Sequence, residues 1–598
     1  AHFVFLDQLP LTSNGKVDRK ALPAPEIHAA ENSSTALNQL EEILADVWAG
    51  VLGLERIGRD DNFFDLGGHS LLATKVVYRI QETFGVALPL RKIFEEPTVA
   101  AAARTIEHLM RTGNAPALPP IQRADRSKEL PLSFAQQRLW IADQLASNNY
   151  NGHCAIRLTG TLDVAALEQS LNEIVSRHEI LRTTFRAVEG RSIQTIAASF
   201  TLPLPAIDLR HLSPTEADAQ VSRLVAAECG RRFNLAEGPL IRALLLRTGD
   251  DEHVMVLSLP HIVFDGWSNA ILIQEVATLY EAFSQDRPSP LPELPIQYAD
   301  FAVWQREWLQ PDVLESHIAY WKHQLDGAPQ SIELPVDRAD SAAIYGAGLP
   351  VHFPAVLADD LKVLSRQHGV TLFMTLLTAF KILLHSYSGQ TDIVVGTNVA
   401  NRTRSETEKL IGFFINLLVL RTDLSGGPGL RTLLARVREV TLKALAHQDL
   451  PFEKLVTELK LDRDRGQTPL VRTVLQLQNE PSVPLELPGL KHEFLDTGIK
   501  SVPFDLVLNL EETDDGLRGE WLYNAGLFDA TTIARMSARF GLLLNQLVAA
   551  PEMKLDEIVA AINETESRQR QAMREEFKNT RRMKLRNVQL RPVITSRT

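Results

Sequence analysis

The chain has 598 residues, of which 45% are apolar and 23% charged, with a net charge of −12 and two cysteines, Cys154 and Cys229. At about 100–200 residues per domain this length calls for about three to five structural units. Lysine and arginine form no long stripe ahead of the C-terminal end, which argues against nucleic acid as the main partner, and two cysteines exclude a disulfide framework or a cysteine-rich metal site and fit a reducing cytoplasm.

The opening "AHFVFLDQLPL" lacks a charged segment ahead of an apolar one, so no signal peptide is read, and its abrupt start suits a fragment of something larger. Residues Pro23 to Ser34 have no helical or strand period and read as a linker. In "TALNQLEEILADVWAGVLGL" the residues Leu40, Ile43, Leu44, Val47, Trp48 and Val51 recur at three and four, which predicts an amphipathic helix. The loop "RIGRDDNFFDLGGHS" leads to a second helix that opens at Ser70, carries Leu72, Val76, Val77 and Ile80, and stops at Gly85. Pro97 suits the first turn of a last helix. The stretch "RTGNAPALPPIQRADRSKELP" reads as a second, semi-rigid linker.

Beyond Pro131, helical patterns such as "LEQSLNEIVSRHEILRTTF" alternate with β-branched runs such as "HVMVLSLPHI", "DIVVGTNVA" and "LVLRTDL", implying two α/β lobes. The apolar run "TLFMTLLTAFKILLH" from Thr371 is interrupted by Lys381 and three threonines and falls short of a membrane span of about 20 residues. It is read as a buried helix, and no membrane partner is expected. From Glu564 the sequence turns basic and loses its period, as in an exposed tail or linker.

Two sites can carry chemistry. Ser70 follows two glycines at a helix start, where free N–H groups either take a serine as an ordinary N-cap or favour an anionic group attached to it. In "PHIVFDGWS", His261 ends a strand, a place where histidine is more often structural than catalytic. His261 and Asp265 with no third ligand nearby make a poor metal site, so no metal is expected.

"DNFFDLGGHSLLATKVV" followed by "FEEPTVAAAA" closely resembles a peptidyl carrier domain of nonribosomal peptide synthetases, over residues 36–110. The resemblance implies a small all-α four-helix bundle whose Ser70 carries 4'-phosphopantetheine. Asp65, Leu66, Gly67 and Gly68 match the recognition loop, and His69 stands where carriers serving condensation domains often have histidine. Upstream, "PLTSNGKVDRKALP" resembles the last motif of an adenylation domain, so residues 1–24 read as its remnant, with Lys16 at the lysine that contacts the acyl adenylate, and 25–35 as the first linker. After the second linker, 111–130, seven ordered motifs resemble a condensation domain: "SFAQQRLW", "RHEILRTTF", "PHIVFDGWS", "YADFAVWQ", "IGFFINLLVLR", "HQDLPFE" and "DRDRGQTPLV". This implies an α/β, chloramphenicol-acetyltransferase-like, V-shaped two-lobed fold, with lobes at 131–300 and 301–563 and a tail at 564–598.

In the family's H-H-x-x-x-D-G motif the second histidine, here His261, acts as general base or orients the amine. Asp265 is structural and pairs with an arginine, for which Arg402 is the candidate. Gly266 lets backbone approach the thioester, and its N–H can assist a developing oxyanion. Pro260 replaces the first histidine, a supporting residue. The implied function is nonribosomal peptide-bond formation between a thioester on Ser70 and a downstream aminoacyl thioester. The implied partners are an upstream adenylation domain, a downstream acceptor carrier, a phosphopantetheinyl transferase and the carrier-bound thioesters themselves. The alternative, kept open by Pro260, is a non-catalytic interface domain that recruits a tailoring oxygenase to the carrier.

Overall fold

The computed structural model describes residues 38–112, 119–145, 151–329, 331–338, 346–461, 470–478, 485–498, 500, 502 and 504–586. The expectations for residues 1–35, Lys16 included, and for the motif residues 462–469 lie outside these. The chain divides into two compact units, Ala1–Pro120 with Arg402–Glu408, and Ile121–Asn401 with Lys409–Thr598.

The first unit carries helices α1 (Gln39–Leu52), α2 (Ser70–Phe84), α3 (Leu90–Glu95) and α4 (Val99–Thr112). Asn38 starts α1 through a capping box: its Oδ1 accepts from Glu41 N at 2.9 Å and the Glu41 carboxylate accepts from Asn38 N at 3.0 Å. Gly53 and Gly85, at φ +69° and +67°, end α1 and α2 in the left-handed conformation that glycine adopts without strain. Leu44, Trp48, Phe63, Val76, Ile80, Ile93, Val99 and Ile106 are fully buried. Trp48 meets Phe63 edge-on at 5.1 Å. The buried stripe of α1 runs through Leu44, Ala45, Trp48 and Ala49, while Ile43, expected on it, is 39% exposed. Pro97 lies two residues before α4 instead of in its first turn.

Among the described residues the second unit holds three sheets. A five-stranded sheet runs Lys491–Phe494, Asn151–Thr159, Glu252–Pro260, Arg242–Arg247, Ala206–Asp208. A six-stranded sheet runs Asn416–Asp423, Asp392–Val399, Thr473–Gln478, Leu506–Thr513, Gly516–Asn524, Gly346–Pro354. A small sheet joins Leu130–Pro131, Arg191–Ile196 and Thr183–Val188. The β-branched runs read from the sequence are the strands Glu252–Pro260, Asp392–Val399 and Asn416–Asp423. Helix Leu372–Ser388 is buried along most of its length, as its apolar run requires. It meets helix Ala355–Gln367 at 101° across a break containing Gly369. Among the described residues no single helix is long and apolar enough to cross a membrane.

Three boundaries differ from the sequence reading. Residue 300 lies inside helix Tyr298–Trp308, whose Tyr298, Phe301 and Trp304 join the core of the N-terminal lobe. The chain also returns to that lobe twice, through Leu410–Phe414 and through Leu485–Phe494, whose end pairs antiparallel with Asn151–Thr159. Pattern along the chain does not reveal such crossings, because a strand has the same period in either sheet. The second linker is only partly a linker: Ile121 is 6% exposed and packs in the N-terminal lobe's core. Buried Asp300 accepts from Ala124 N at 2.8 Å and from Arg126 at 2.6 Å. Lastly, the segment from Glu564, expected as an exposed tail or linker without period, is helical as far as Arg586, where helix Leu555–Arg586 ends.

Replacing Asp300 with alanine takes the acceptor from Ala124 N and Gln297 N and leaves Arg126 with only Glu179 and the Ala124 carbonyl. The expected cost is about 2–4 kcal/mol, visible as a lower urea midpoint and faster proteolytic cleavage between residues 113 and 130.

Candidate active site

In the first unit the loop before Ser70 is a tight turn, with Gly68 N donating to Phe63 O at 2.9 Å and Leu66 N to Asn62 O at 3.1 Å. Asp65 is exposed and Leu66 half-buried. Gly67 has φ +94°, and a Cβ on Gly68 would fall 2.4 Å from the Phe63 carbonyl oxygen and ring, so both glycines are required by the turn. His69 is the N-cap of α2 without a side-chain capping bond, and burial pushes its imidazole down to about 4. Ser70 opens a 15-residue helix, where first-turn N–H groups and the positive end of the dipole suit a phosphodiester. Arg402 is buried, and its Nη1 donates to Thr407 O at 2.7 Å.

The second site begins at the end of strand Glu252–Pro260. Pro260 has φ −77°, inside proline's range. The last pair on one side of the strand is Arg242 with Ser258, two residues earlier, so the missing N–H at 260 breaks no bond to that neighbour. A 3₁₀ turn, His261–Val263, follows. His261 Nδ1 lies 3.3 Å from Phe264 O. A carbonyl only accepts, so Nδ1 carries the proton and Nε2 keeps its lone pair. Burial is the largest influence on this imidazole and pushes it below its ordinary value; the hydrogen bond to Phe264 and the charge of Asp265 oppose it, while His153 and Arg138 act with it. The ring is therefore neutral at pH 7. From the helix start at Phe134, Gln136 Nε2 donates to Ile262 O at 3.3 Å and ties the turn down.

Asp265 is fully buried and acts as N-cap of helix Gly266–Phe283, accepting from Ser268 N at 2.8 Å and Ser268 Oγ at 2.6 Å. Its other oxygen accepts from Phe414 N at 3.0 Å. Gly266 is the first residue of this helix, so its N–H has no intrahelical partner. A cleft of ≈ 360 Å³ is lined by Arg138, Phe301, Phe413, Phe414, Phe452 and Glu453 among others. Phe413 connects it to the histidine: its ring lies 6.4 Å from that of His261 and 5.8 Å from the Arg138 guanidinium. Arg138, Gln136, Ser268, Tyr298 and Phe413 all fall in motifs read from the sequence, but nothing in those strings told which of them reach the site. Among the described residues, no group of three or more histidine, cysteine, aspartate or glutamate side chains is placed to hold a metal ion.

A family model described as the condensation domain matches residues 126–569. The chain belongs to that family. A model of the phosphopantetheine attachment site matches residues 42–106, so a carrier domain precedes the condensation domain and 4'-phosphopantetheine is its cofactor. A linear gramicidin synthase protein of Brevibacillus parabrevis is 47% identical over 564 residues, covering 93% of this chain and 7% of the relative. The dimodular nonribosomal peptide synthase of Bacillus subtilis is 40% identical, over 92% of the chain and 24% of the relative. The chain thus spans a small part of the curated relatives it matches. Among solved structures, the X-domain in complex with OxyB from teicoplanin biosynthesis is 28% identical with a TM-score of 0.68, covering 74% of this chain and 99% of that one. The first condensation domain of the calcium-dependent antibiotic synthetase, at 22% identity and TM-score 0.60, shares the fold over 72% of this chain and 99% of its own.

In the carrier domain, Gly68→Ala is expected to displace the turn before Ser70. Intact-mass measurement after incubation with a phosphopantetheinyl transferase and coenzyme A would find the arm added at least about tenfold more slowly than in wild type.

Proposed function

We propose that the carrier and condensation domains together form a peptide bond between an acyl group held as a thioester at Ser70 and the amine of a downstream aminoacyl thioester. The observation that carries this reading is the 3.3 Å approach of His261 Nδ1 to the Phe264 carbonyl, next to the aromatic wall of the cleft, which assigns the proton to Nδ1 and the lone pair to Nε2. Attached to Ser70, phosphopantetheine would supply the thiol that holds the acyl group. Asp65 to His69 form the loop a phosphopantetheinyl transferase would read, and an upstream adenylation domain and a downstream acceptor carrier complete the proposed set of partners, in the cytoplasm.

The chain's own residues then have defined tasks. Nε2 of His261 accepts a hydrogen bond from the incoming amine, orients its lone pair toward the thioester carbonyl, takes the proton as the C–N bond forms, and gives it to the departing thiolate as the acyl C–S bond breaks. The Phe264 carbonyl stabilises the imidazolium by holding Nδ1–H. The Gly266 N–H, at the positive end of an 18-residue helix, is available to a developing oxyanion. Asp265 serves both groups by capping that helix and fixing Phe414. Pro260 needs no compensating histidine, since the tautomer is set by residue 264.

Likeness to the X-domain found with OxyB favours one second reading, in which the fold recruits a tailoring oxygenase to the carrier-bound substrate. Capture of pathway hydroxylases by the loaded protein, without condensation product, would decide for it.

With a thioester loaded on Ser70 and an amine acceptor supplied, His261→Ala should lower product formation by about 10²–10⁴-fold, and Ser70→Ala should abolish it. Equal product from wild type and His261→Ala would exclude the imidazole from the reaction. Because burial lowers the His261 value, the acid limb of kcat/KM should lie below 6.5; protonation at lower pH removes the base. Pro260→His should not raise the rate above wild type.

A further inference from the structure

Residues Ile411–Phe414 are buried and belong to neither helix nor strand. A buried irregular segment must find partners for its backbone groups, each of which costs about 1–3 kcal/mol if left unpaired. Side chains of the N-terminal lobe supply them in succession. Ile411 N donates to His178 Nδ1 at 3.4 Å, and His178 is held as an acceptor there because its Nε2–H donates to Glu275 at 2.9 Å. Gly412 N donates to Ser268 Oγ at 3.1 Å. The Phe413 carbonyl accepts from the Tyr298 hydroxyl. Phe414 N donates to Asp265.

Tyr298 does more than donate. Its ring lies so close over Gly412 that a Cβ there would fall 2.0 Å from Cδ2. Its hydroxyl, having given its proton to Phe413 O, accepts from Ser133 Oγ at 2.9 Å, and Ser133 Oγ accepts from Gln136 N at 3.1 Å. One ring thus fixes both position and direction of the peptide that carries the Phe413 side chain, whose ring lies 6.4 Å from that of His261 and 5.8 Å from the Arg138 guanidinium.

We propose that Tyr298 is a positioning residue for the condensation reaction, acting through the Gly412–Phe413 backbone to hold the Phe413 ring against His261. This rests on the catalytic reading of His261 given above. Phe413 then has two effects: it restricts the imidazole's orientation, and it keeps water from a ring whose other neighbours of changeable or fixed charge are Asp265, His153 and Arg138.

The test uses the full chain, loaded on Ser70, with a small amine acceptor. Tyr298→Phe keeps the ring over Gly412 and removes only the hydroxyl. Its kcat is expected to fall about tenfold with KM for the amine within about twofold, and the acid limb of its pH profile should move up toward 6.5 as water reaches His261. Phe413→Ala should move the limb the same way, and the double variant should add nothing further. A wild-type rate in Tyr298→Phe, or a lower kcat with an unmoved acid limb, overturns the proposal. Equal activity in wild type and His261→Ala would instead bring down the underlying reading, whatever Tyr298→Phe does.

Discussion

The hydrogen bond from His261 Nδ1 to the Phe264 carbonyl is the interaction on which the site depends. It is possible because the strand Glu252–Pro260 ends in a residue without an N–H and the chain turns at once through a 3₁₀ segment, bringing the carbonyl three residues on under the ring. Without it the imidazole could rotate or carry its proton on the other nitrogen, and the lone pair would no longer have a fixed direction. Burial outweighs the bond's own preference for the imidazolium and keeps the ring below its ordinary value.

The surroundings of that bond are held by buried hydrogen bonds between side chains and backbone more than by ion pairs. The Arg138–Glu453 pair in the cleft is 3.7 Å apart with its side chains 26% and 17% exposed, a geometry worth at most about 1 kcal/mol. The bonds to Ile411–Phe414 are individually of similar net worth, but removing any partner leaves a desolvated backbone group, which makes each costly to lose. Asp265 combines two such tasks, since one carboxylate caps a helix and fixes a neighbouring segment.

Much of this was legible in the sequence. The periodicity of the first two carrier helices, the stop at Gly85, the β-branched strands and the buried helix in the apolar run from Thr371 follow from local pattern, whereas Ser70 and His261 were singled out by the family resemblance, local pattern alone leaving each an ordinary structural reading. What local pattern could not carry was long-range: the return of Leu410–Phe414 and Leu485–Phe494 to the N-terminal lobe, and the docking of residues 121–126 on Asp300. Ile43 has the right spacing for a buried face and is exposed because the face is narrower than the apolar pattern. Pro260 stands where the family has a supporting histidine, and residue identity alone gives no hint of the contact between His261 Nδ1 and the Phe264 carbonyl.

The central claim can be tested at the atom that carries it. Nitrogen NMR of the chain with ¹⁵N-labelled histidine, with His261→Ala used to assign the signal, reports which ring nitrogen is protonated. The account requires a neutral ring protonated at Nδ1 at pH 7, with its titration below the ordinary 6.5. A proton found on Nε2, or an imidazolium at pH 7, would contradict it.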